Sequence, residues 1–179
     1  MSKQRGENSP KQIKGVLPGP KMAPTNLVIS HRLREILNEK CNLVDVVGKT
    51  GAQRFTLGEF GIQAMANANN PQDAWFWPGQ QVVACCKGRE LRNGRAYEIM
   101  HLGSSHVVIR AEEEEPIQLK RGENFRTLRL KYAVTYASAQ GITVGGLLAL
   151  HDTAHAHFDW RKLYVGLSRA TGKNKVIVY

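Results

Sequence analysis

The chain has 179 residues, 42% of them hydrophobic, and 25 Lys+Arg against 15 Asp+Glu give it a formal net charge of +10. That length suits one domain, or one domain with a small insertion, and no apolar run reaches the roughly 18 residues that a membrane span needs. The basic surplus calls for a polyanionic partner, nucleic acid foremost, with a merely solvated basic surface as the alternative.

Residues 1–24 read as a disordered basic tail: four of the seven prolines and five Lys/Arg against one Glu leave too little apolar material to offset ordering entropy. Their opening, Met1-Ser2-Lys3-Gln4-Arg5-Gly6, has no apolar stretch behind it, so no secretory signal is expected. Leu27-Val28-Ile29 reads as a buried strand, and Leu33, Ile36, Leu37 and Cys41 follow at helical spacing behind Ser30 as N-cap. A second helical pattern covers Gly61 to Asn67. After Trp75-Phe76-Trp77-Pro78-Gly79 the pattern turns to short strands, Gln81–Cys86, Arg95–His101, His106–Arg110 and Ile117–Leu119, with turns at Arg92-Asn93-Gly94 and Gly103-Ser104-Ser105 and an exposed acidic loop at Glu112–Glu115. Such a stretch predicts a small barrel or meander. From Leu128 the chain alternates again: strand Leu128–Val134, strand Val144–Leu150, helix Trp160–Thr171 with Gly172 as its stop, and strand Lys175–Tyr179. This alternation predicts an α/β fold with a parallel sheet.

Two segments carry chemistry. In Tyr132-Ala133-Val134-Thr135-Tyr136-Ala137-Ser138-Ala139-Gln140-Gly141-Ile142-Thr143 a strand runs into a polar turn at Thr135 and a short helix ending at Gly141, and hydroxyl and backbone N–H groups at such a strand end can hold phosphate. In Leu163-Tyr164-Val165-Gly166-Leu167-Ser168-Arg169-Ala170 an arginine sits in an otherwise apolar helix, which costs free energy unless it meets an anion or lies at an edge. The planar fork of Arg169 suits phosphate oxygens, and a plain salt bridge would explain it equally well.

Together these segments resemble superfamily 1 nucleic-acid helicases of the RecD and UvrD type. The first is similar to motif V, A-x-T-x-H-K-S-Q-G-x-T, and the second to motif VI, Y-V-A/G-x-S/T-R-A. Trp77-Pro78-Gly79-Gln80-Gln81-Val82-Val83 followed by Asn93-Gly94-Arg95 is similar to the stretch that opens an SH3-like barrel in the second motor domain of RecD-like helicases, and Leu27 to Arg34 with Asn38 looks like the motif IV region. The resemblance implies a RecA-like second motor domain (2A) built from 25–77 and 128–179, with an SH3-like β-barrel inserted over 78–127. It implies Arg169 as the catalytic arginine finger, with Arg32, Arg34, Gln140 and Gly141 also at the nucleotide. Ser168 would set that helix and finger, and Thr135, Ser138 and Thr143 would touch the nucleic-acid backbone. The implied partners are single-stranded DNA, with RNA as the alternative, and a Walker A-containing first motor domain in cis or in trans, with ATP and Mg2+ bound only when that domain is present.

Two departures stand out. Ala137-Ser138 replaces the His-Lys of motif V. No G-x-x-x-x-G-K-[ST] occurs either: Gly48-Lys49-Thr50 has Leu43 where the first glycine belongs, and no Asp-Glu pair follows an apolar strand. The chain is therefore expected to be a fragment, a separately encoded half or a remnant, unable to hydrolyse ATP alone. A non-enzymatic nucleic-acid-binding or regulatory module is the competing reading. Other features are read as structural: Cys41, Cys85 and Cys86 form neither a disulfide framework nor a zinc site and point to a reducing, intracellular compartment. His151-Asp152-Thr153-Ala154-His155-Ala156-His157 is read as a surface loop in preference to a metal site, and Trp75, Phe76 and Trp77 as core in preference to base-stacking platforms.

Overall fold

A computed structural model describes residues 25–63, 69–85, 91–140, 143–172 and 175–179. The tail over 1–24, Cys86, Gly141 and most of the helix expected over Gly61 to Asn67 lie outside the described residues. In chain order the elements are β1 (Thr25–Val28), α1 (His31–Asp45), β2 (Gln53–Phe55), β3 (Ala74–Phe76), β4 (Gln81–Ala84), β5 (Ala96–Leu102), β6 (His106–Arg110), β7 (Ile117–Lys120), α2 (Arg121–Thr127), β8 (Leu128–Leu130), β9 (Ala133–Thr135), β10 (Leu148–Leu150), α3 (Trp160–Arg169) and β11 (Val176–Val178).

Four of these strands form a parallel sheet in the order β11-β10-β1-β9. Its strands are apolar on both faces because both faces are covered. Leu27, Val134, Leu148 and Leu150 meet Val165 of α3 and Phe158 on one side, while Val28 and Ala133 meet Leu33 and Leu37 of α1 on the other. The layers are helix, sheet, helix. Ser30 caps α1 as expected, its hydroxyl accepting from the Leu33 amide.

The remaining strands build an antiparallel sheet in the order β7-β6-β5-β4-β8, with β2 paired to β3 beside it. Its core is aromatic. Phe55, Phe76 and Phe125 pack with centroids 5.1 to 6.5 Å apart, edge-on or tilted as ring quadrupoles prefer. Phe76 and Trp77 are buried, in keeping with a core role for that aromatic run.

Several elements depart from the expected pattern. The strand expected over Leu128–Val134 is two strands in two sheets, because the chain turns at Lys131-Tyr132: β8 pairs antiparallel with β4, and β9 pairs parallel with β1. With β8, β2 and β3 all packed around the antiparallel core, that body draws on residues on both sides of 78–127. The strand expected over Val144–Leu150 shrinks to Leu148–Leu150, since Gly145-Gly146 has no side chains to pack. The helix expected to reach Thr171 stops at Arg169, because Ala170 is extended and bridges to Val144, so Gly172 is not its stop. The strand expected through Cys86 ends at Ala84, and β2, β3 and α2 have no counterpart in the sequence reading. Residues after Thr135 form turns with one helix-type bond, Ala139 N–H to the Thr135 carbonyl, where a short helix was expected.

Two asparagines on α1, one helical turn apart, fasten the bodies together. The Asn38 carboxamide donates to the Ala133 carbonyl (3.1 Å) and accepts from the Ala133 amide (2.8 Å). Asn42 does the same to Trp75, at 2.8 Å in both directions. Each thus satisfies both backbone groups of one strand residue, buried at Ala133 and half-buried at Trp75. We expect Asn38→Ala to lower the unfolding free energy by about 2–4 kcal/mol, because two buried backbone groups lose their partners, and Asn42→Ala by less, about 1–2 kcal/mol, because Trp75 is half-buried and its carbonyl also accepts from Gln80. Urea denaturation checks this, and a loss below about 0.5 kcal/mol, the range of a neutral surface change, would contradict it.

Candidate functional site

Parallel strands bring their carboxyl ends to one edge, where ligands of α/β folds bind. At that edge β1 leads through Ser30 into α1, and β9 ends at Thr135. The Thr135 hydroxyl is hydrogen-bonded to the Ser138 hydroxyl (2.9 Å) and accepts from the Ser138 amide (3.2 Å). A cleft of about 140 Å³ lies between this turn, the first turn of α1, and β4 and β8 of the antiparallel sheet; its polar lining includes His31, Arg34, Asn69, Arg129, Thr135 and Ser138. Arg34 is 4% exposed and Arg129 8%. Arg34 donates to Glu35 Oε1 at 2.9 Å, to the Asn70 carbonyl at 3.3 Å and to the Asn69 carboxamide oxygen. Arg129 donates to the Asn69 carbonyl through Nε (3.1 Å) and the terminal nitrogen NH2 (2.8 Å).

The second locus lies at the opposite edge. Because α3 joins two parallel strands, it must return the chain to their amino-terminal ends. There the Val144 amide donates to the Arg169 carbonyl (2.8 Å), the Thr171 amide donates to the Val144 carbonyl (3.3 Å), and Val144 and Ala170 form a parallel bridge. The end of the Tyr132–Thr143 segment is thereby tied to the end of the helix that carries Arg169. The Arg169 guanidinium donates through Nε (3.2 Å) and NH2 (3.1 Å) to the Ser168 hydroxyl, which itself donates to the Val165 carbonyl (3.0 Å).

The site residues expected from sequence thus fall into two groups. Arg34, Thr135 and Ser138 line the cleft, while Thr143 adjoins the bridge that holds Arg169. Arg32, Gln140 and Thr143 are exposed, and Gly141 lies outside the described residues. Sequence reasoning missed His31, Asn69 and Arg129. A signal existed for Arg129, a cation between two buried leucines in Leu128-Arg129-Leu130, the same anomaly that singled out Arg169.

The histidine-rich loop is occupied with structural bonds. His151 Nε2 is 2.9 Å from the Asn26 side-chain oxygen, and its ring stacks on Tyr179 at 4.8 Å. Asp152 accepts from the Ile29 amide at 2.8 Å, and the Tyr136 hydroxyl donates to the His151 carbonyl at 3.0 Å. Among the described residues no three His, Cys, Asp or Glu side chains converge as a metal cluster, and no helix is long and apolar enough to cross a membrane. Burial, before the neighbouring Arg34 charge, holds the His31 imidazole below its ordinary value, and burial does the same to His151 against the opposing pull of Asp152.

No family model matches the chain, and no curated protein matches it. Solved structures do. The chain is similar to two coordinating Pif1 helicases at forked dsDNA (15% identity, TM-score 0.60, 86% of this chain and 38% of that one). It is also similar to Bacteroides Pif1 bound to ssDNA (17%, 0.57, 86% and 40%) and to the Pif1 helicase from Candida albicans (13%, 0.52, 92% and 47%). The chain therefore spans less than half the length of each. At these identities the likeness shows the fold: an α/β domain with a RecA-like parallel sheet and a small antiparallel sheet beside it.

Two predictions follow from the packing and charge at these edges. A Cβ on Gly166 of α3 would stand 2.6 Å from Leu150 Cδ2, and Leu150 is fully buried. Gly166→Ala should therefore cost about 1–3 kcal/mol by overpacking, while Gly145→Ala, with nothing within 4 Å of its Cβ, should not; thermal melts of both variants check the contrast. For pH, His31 and His151 have folded-state values below 6.5. The unfolded chain therefore binds more protons below that pH. Their contribution is fully present above pH 6.5 and is lost as pH falls toward the folded values. His151→Gln should flatten the decline seen in denaturation between about pH 7 and pH 5; an unchanged slope would mean that His151 does not drive it.

Proposed function

We propose that the chain is the C-terminal motor half of an ATP-dependent superfamily 1 DNA helicase. In this reading it adds an arginine finger and nucleic-acid backbone contacts to a first motor domain, in cis or in trans, that carries the phosphate-binding loop and holds ATP and Mg2+. The observation that carries the reading is the Val144–Ala170 bridge, which ties the residue directly after the segment resembling motif V to the end of the segment resembling motif VI by backbone hydrogen bonds. The likeness to Pif1 folds supports it.

The chemistry of the residues fits that division of labour. A planar, permanently charged guanidinium stabilises the negative charge that develops on a transferring phosphoryl group. The Ser168 hydroxyl holds Arg169 through two of its nitrogens, which restricts the side chain before a phosphate arrives. The G-x-x-x-x-G-K-[ST] loop does not occur in this sequence, so this reading assigns the phosphate loop to the first motor domain. Thr135 lines the cleft and Val144 forms the bridge, so in this reading one short segment links the nucleic-acid end to the arginine end. The antiparallel body is the SH3-like insertion in this reading, with residues 78–127 as its centre and the helicase domain 2A on either side. Single-stranded DNA is the strand held.

A non-enzymatic nucleic-acid-binding module is the second reading, and Ala137-Ser138, in the place of His-Lys, favours it. The test pairs this chain with a Walker A-containing first motor domain and measures DNA-stimulated ATP hydrolysis. The motor reading expects activity only from the pair and a fall in kcat of about 10³-fold or more with Arg169→Ala. Equal turnover by wild type and variant would hand the case to the binding module.

A further inference from the structure

Helix α3 has two faces. Val165 and Gly166 turn toward the parallel sheet, and Gly166 is buried against Leu150. Trp160, Leu163, Tyr164 and Leu167 form one stripe on the other side, at helical spacing. The two rings are its most exposed members, Trp160 at 71% and Tyr164 at 65%. Trp77, by contrast, is buried, and Trp75 half-buried. A large ring left in water forgoes the burial that usually holds aromatics in a fold, and a run of such side chains marks a binding surface. The charges beside the stripe select the partner. α3 contains Arg161, Lys162 and Arg169 and no carboxylate. The Arg161 guanidinium lies 5.7 Å from the centre of the Trp160 ring. Asp159, just ahead of the helix, is occupied with the cap: it accepts from the Lys162 amide (3.0 Å) and pairs with the Lys162 ammonium (3.4 Å).

Flat apolar faces beside cations fit a ligand that is itself a series of flat rings on an anionic chain, which is a single-stranded polynucleotide. An apolar protein surface would be met as well by aliphatic side chains and would draw nothing from the cations. Position agrees. Because α3 returns the chain from β10, it begins at the carboxyl edge of the sheet. Phe158, two residues ahead of Trp160, packs on Tyr136, the residue after Thr135, with ring centres 5.7 Å apart. We propose that Trp160 and Tyr164 are a stacking platform for two neighbouring unpaired bases, with Arg161 on the phosphate that joins them. The Cβ atoms of residues four apart on a helix stand about 5–6 Å from each other, wider than the roughly 3.4 Å rise between bases in a duplex. The platform therefore accepts bases that have come unstacked and refuses a paired double helix. It adds a base contact, on a different element, to the backbone contacts of the motor reading, and it needs neither ATP nor the first motor domain.

The test titrates the full chain with labelled strands of equal length, read by anisotropy over a salt series: oligodeoxyuridylate, oligouridylate and an abasic deoxyribose strand. Trp160→Leu and Tyr164→Leu keep the stripe apolar and the fold, which thermal melts verify. Each should weaken binding of the base-bearing strands about tenfold, and Trp160→Phe should retain most of the affinity. The slope of log K against log salt should be unchanged in Trp160→Leu and lower by about 0.7 in Arg161→Gln, one single-strand phosphate contact. Unlabelled base-bearing strands should quench tryptophan emission, and the abasic strand should not. Either sugar in this pattern supports the platform, and the tighter of the two identifies its source. Equal affinity for abasic and base-bearing strands would overturn the platform and leave the backbone contacts of the motor reading intact. Wild-type affinity in Trp160→Leu and Tyr164→Leu would do the same. If the two variants bind strands normally but no longer support ATP hydrolysis with a first motor domain, the stripe is a protein interface and the proposal falls. If wild type binds no strand, the platform and the strand contacts of the motor reading fall together.

Discussion

The arrangement depends on two carboxamides. Asn38 and Asn42 stand on one face of α1, and each grips both backbone groups of a single strand residue, Ala133 in the parallel sheet and Trp75 in the antiparallel body. Asparagine is a weak helix former because its side chain competes for backbone bonds; here those bonds are made to neighbouring strands. The apolar attachment of α1 is narrow, Leu33 and Leu37 over Val28 and Ala133, while Leu43 and Val44 are 41% and 59% exposed. Hydrophobic burial is non-directional and would let the helix slide. Paired hydrogen bonds to fixed residues set its register, and with it the position of β9, of Thr135 and of the cleft.

The two loci around the parallel sheet place cations by different means. At the cleft, Arg34 is held by the Glu35 carboxylate and by the Asn69-Asn70 loop, and Arg129 by main-chain carbonyls of Asn69, Arg126 and Leu128, so both side chains are fixed from several directions. At the bridge, Arg169 is partly exposed, and its neighbour Ser168 accepts from two of its nitrogens.

Much of this was legible in the chain. Ser30 announced α1, the apolar runs announced buried parallel strands, and the spaced turn residues announced the antiparallel body, because each is a local signal of period or capping. What escaped is non-local. Nothing within Leu128–Val134 says that its two ends join different sheets; that is decided by β4 and β1, far away in sequence. The helix expected to run to Thr171 yielded two residues to a bridge with Val144, a tertiary contact that overrides local propensity. Arg34, Thr135 and Ser138 were found by resemblance, yet their meeting with His31 and Arg129 required the fold, since the cleft belongs to neither sheet alone.

The strands that open and close the antiparallel body are hydrogen-bonded neighbours: Val82 of β4 stands opposite Leu130 of β8. Seen from the parallel sheet, everything between them is a single closed loop whose two feet are one strand spacing apart. Closing a longer loop costs little, about 0.6 kcal/mol for each doubling of its length. The turns between β5, β6 and β7 can therefore lengthen or shorten at little cost, provided that the buried face of those strands, which packs with Phe55, Phe76 and Leu128, is kept. A protein engineer who wished to add a recognition loop here would place it in those turns, away from the shared core.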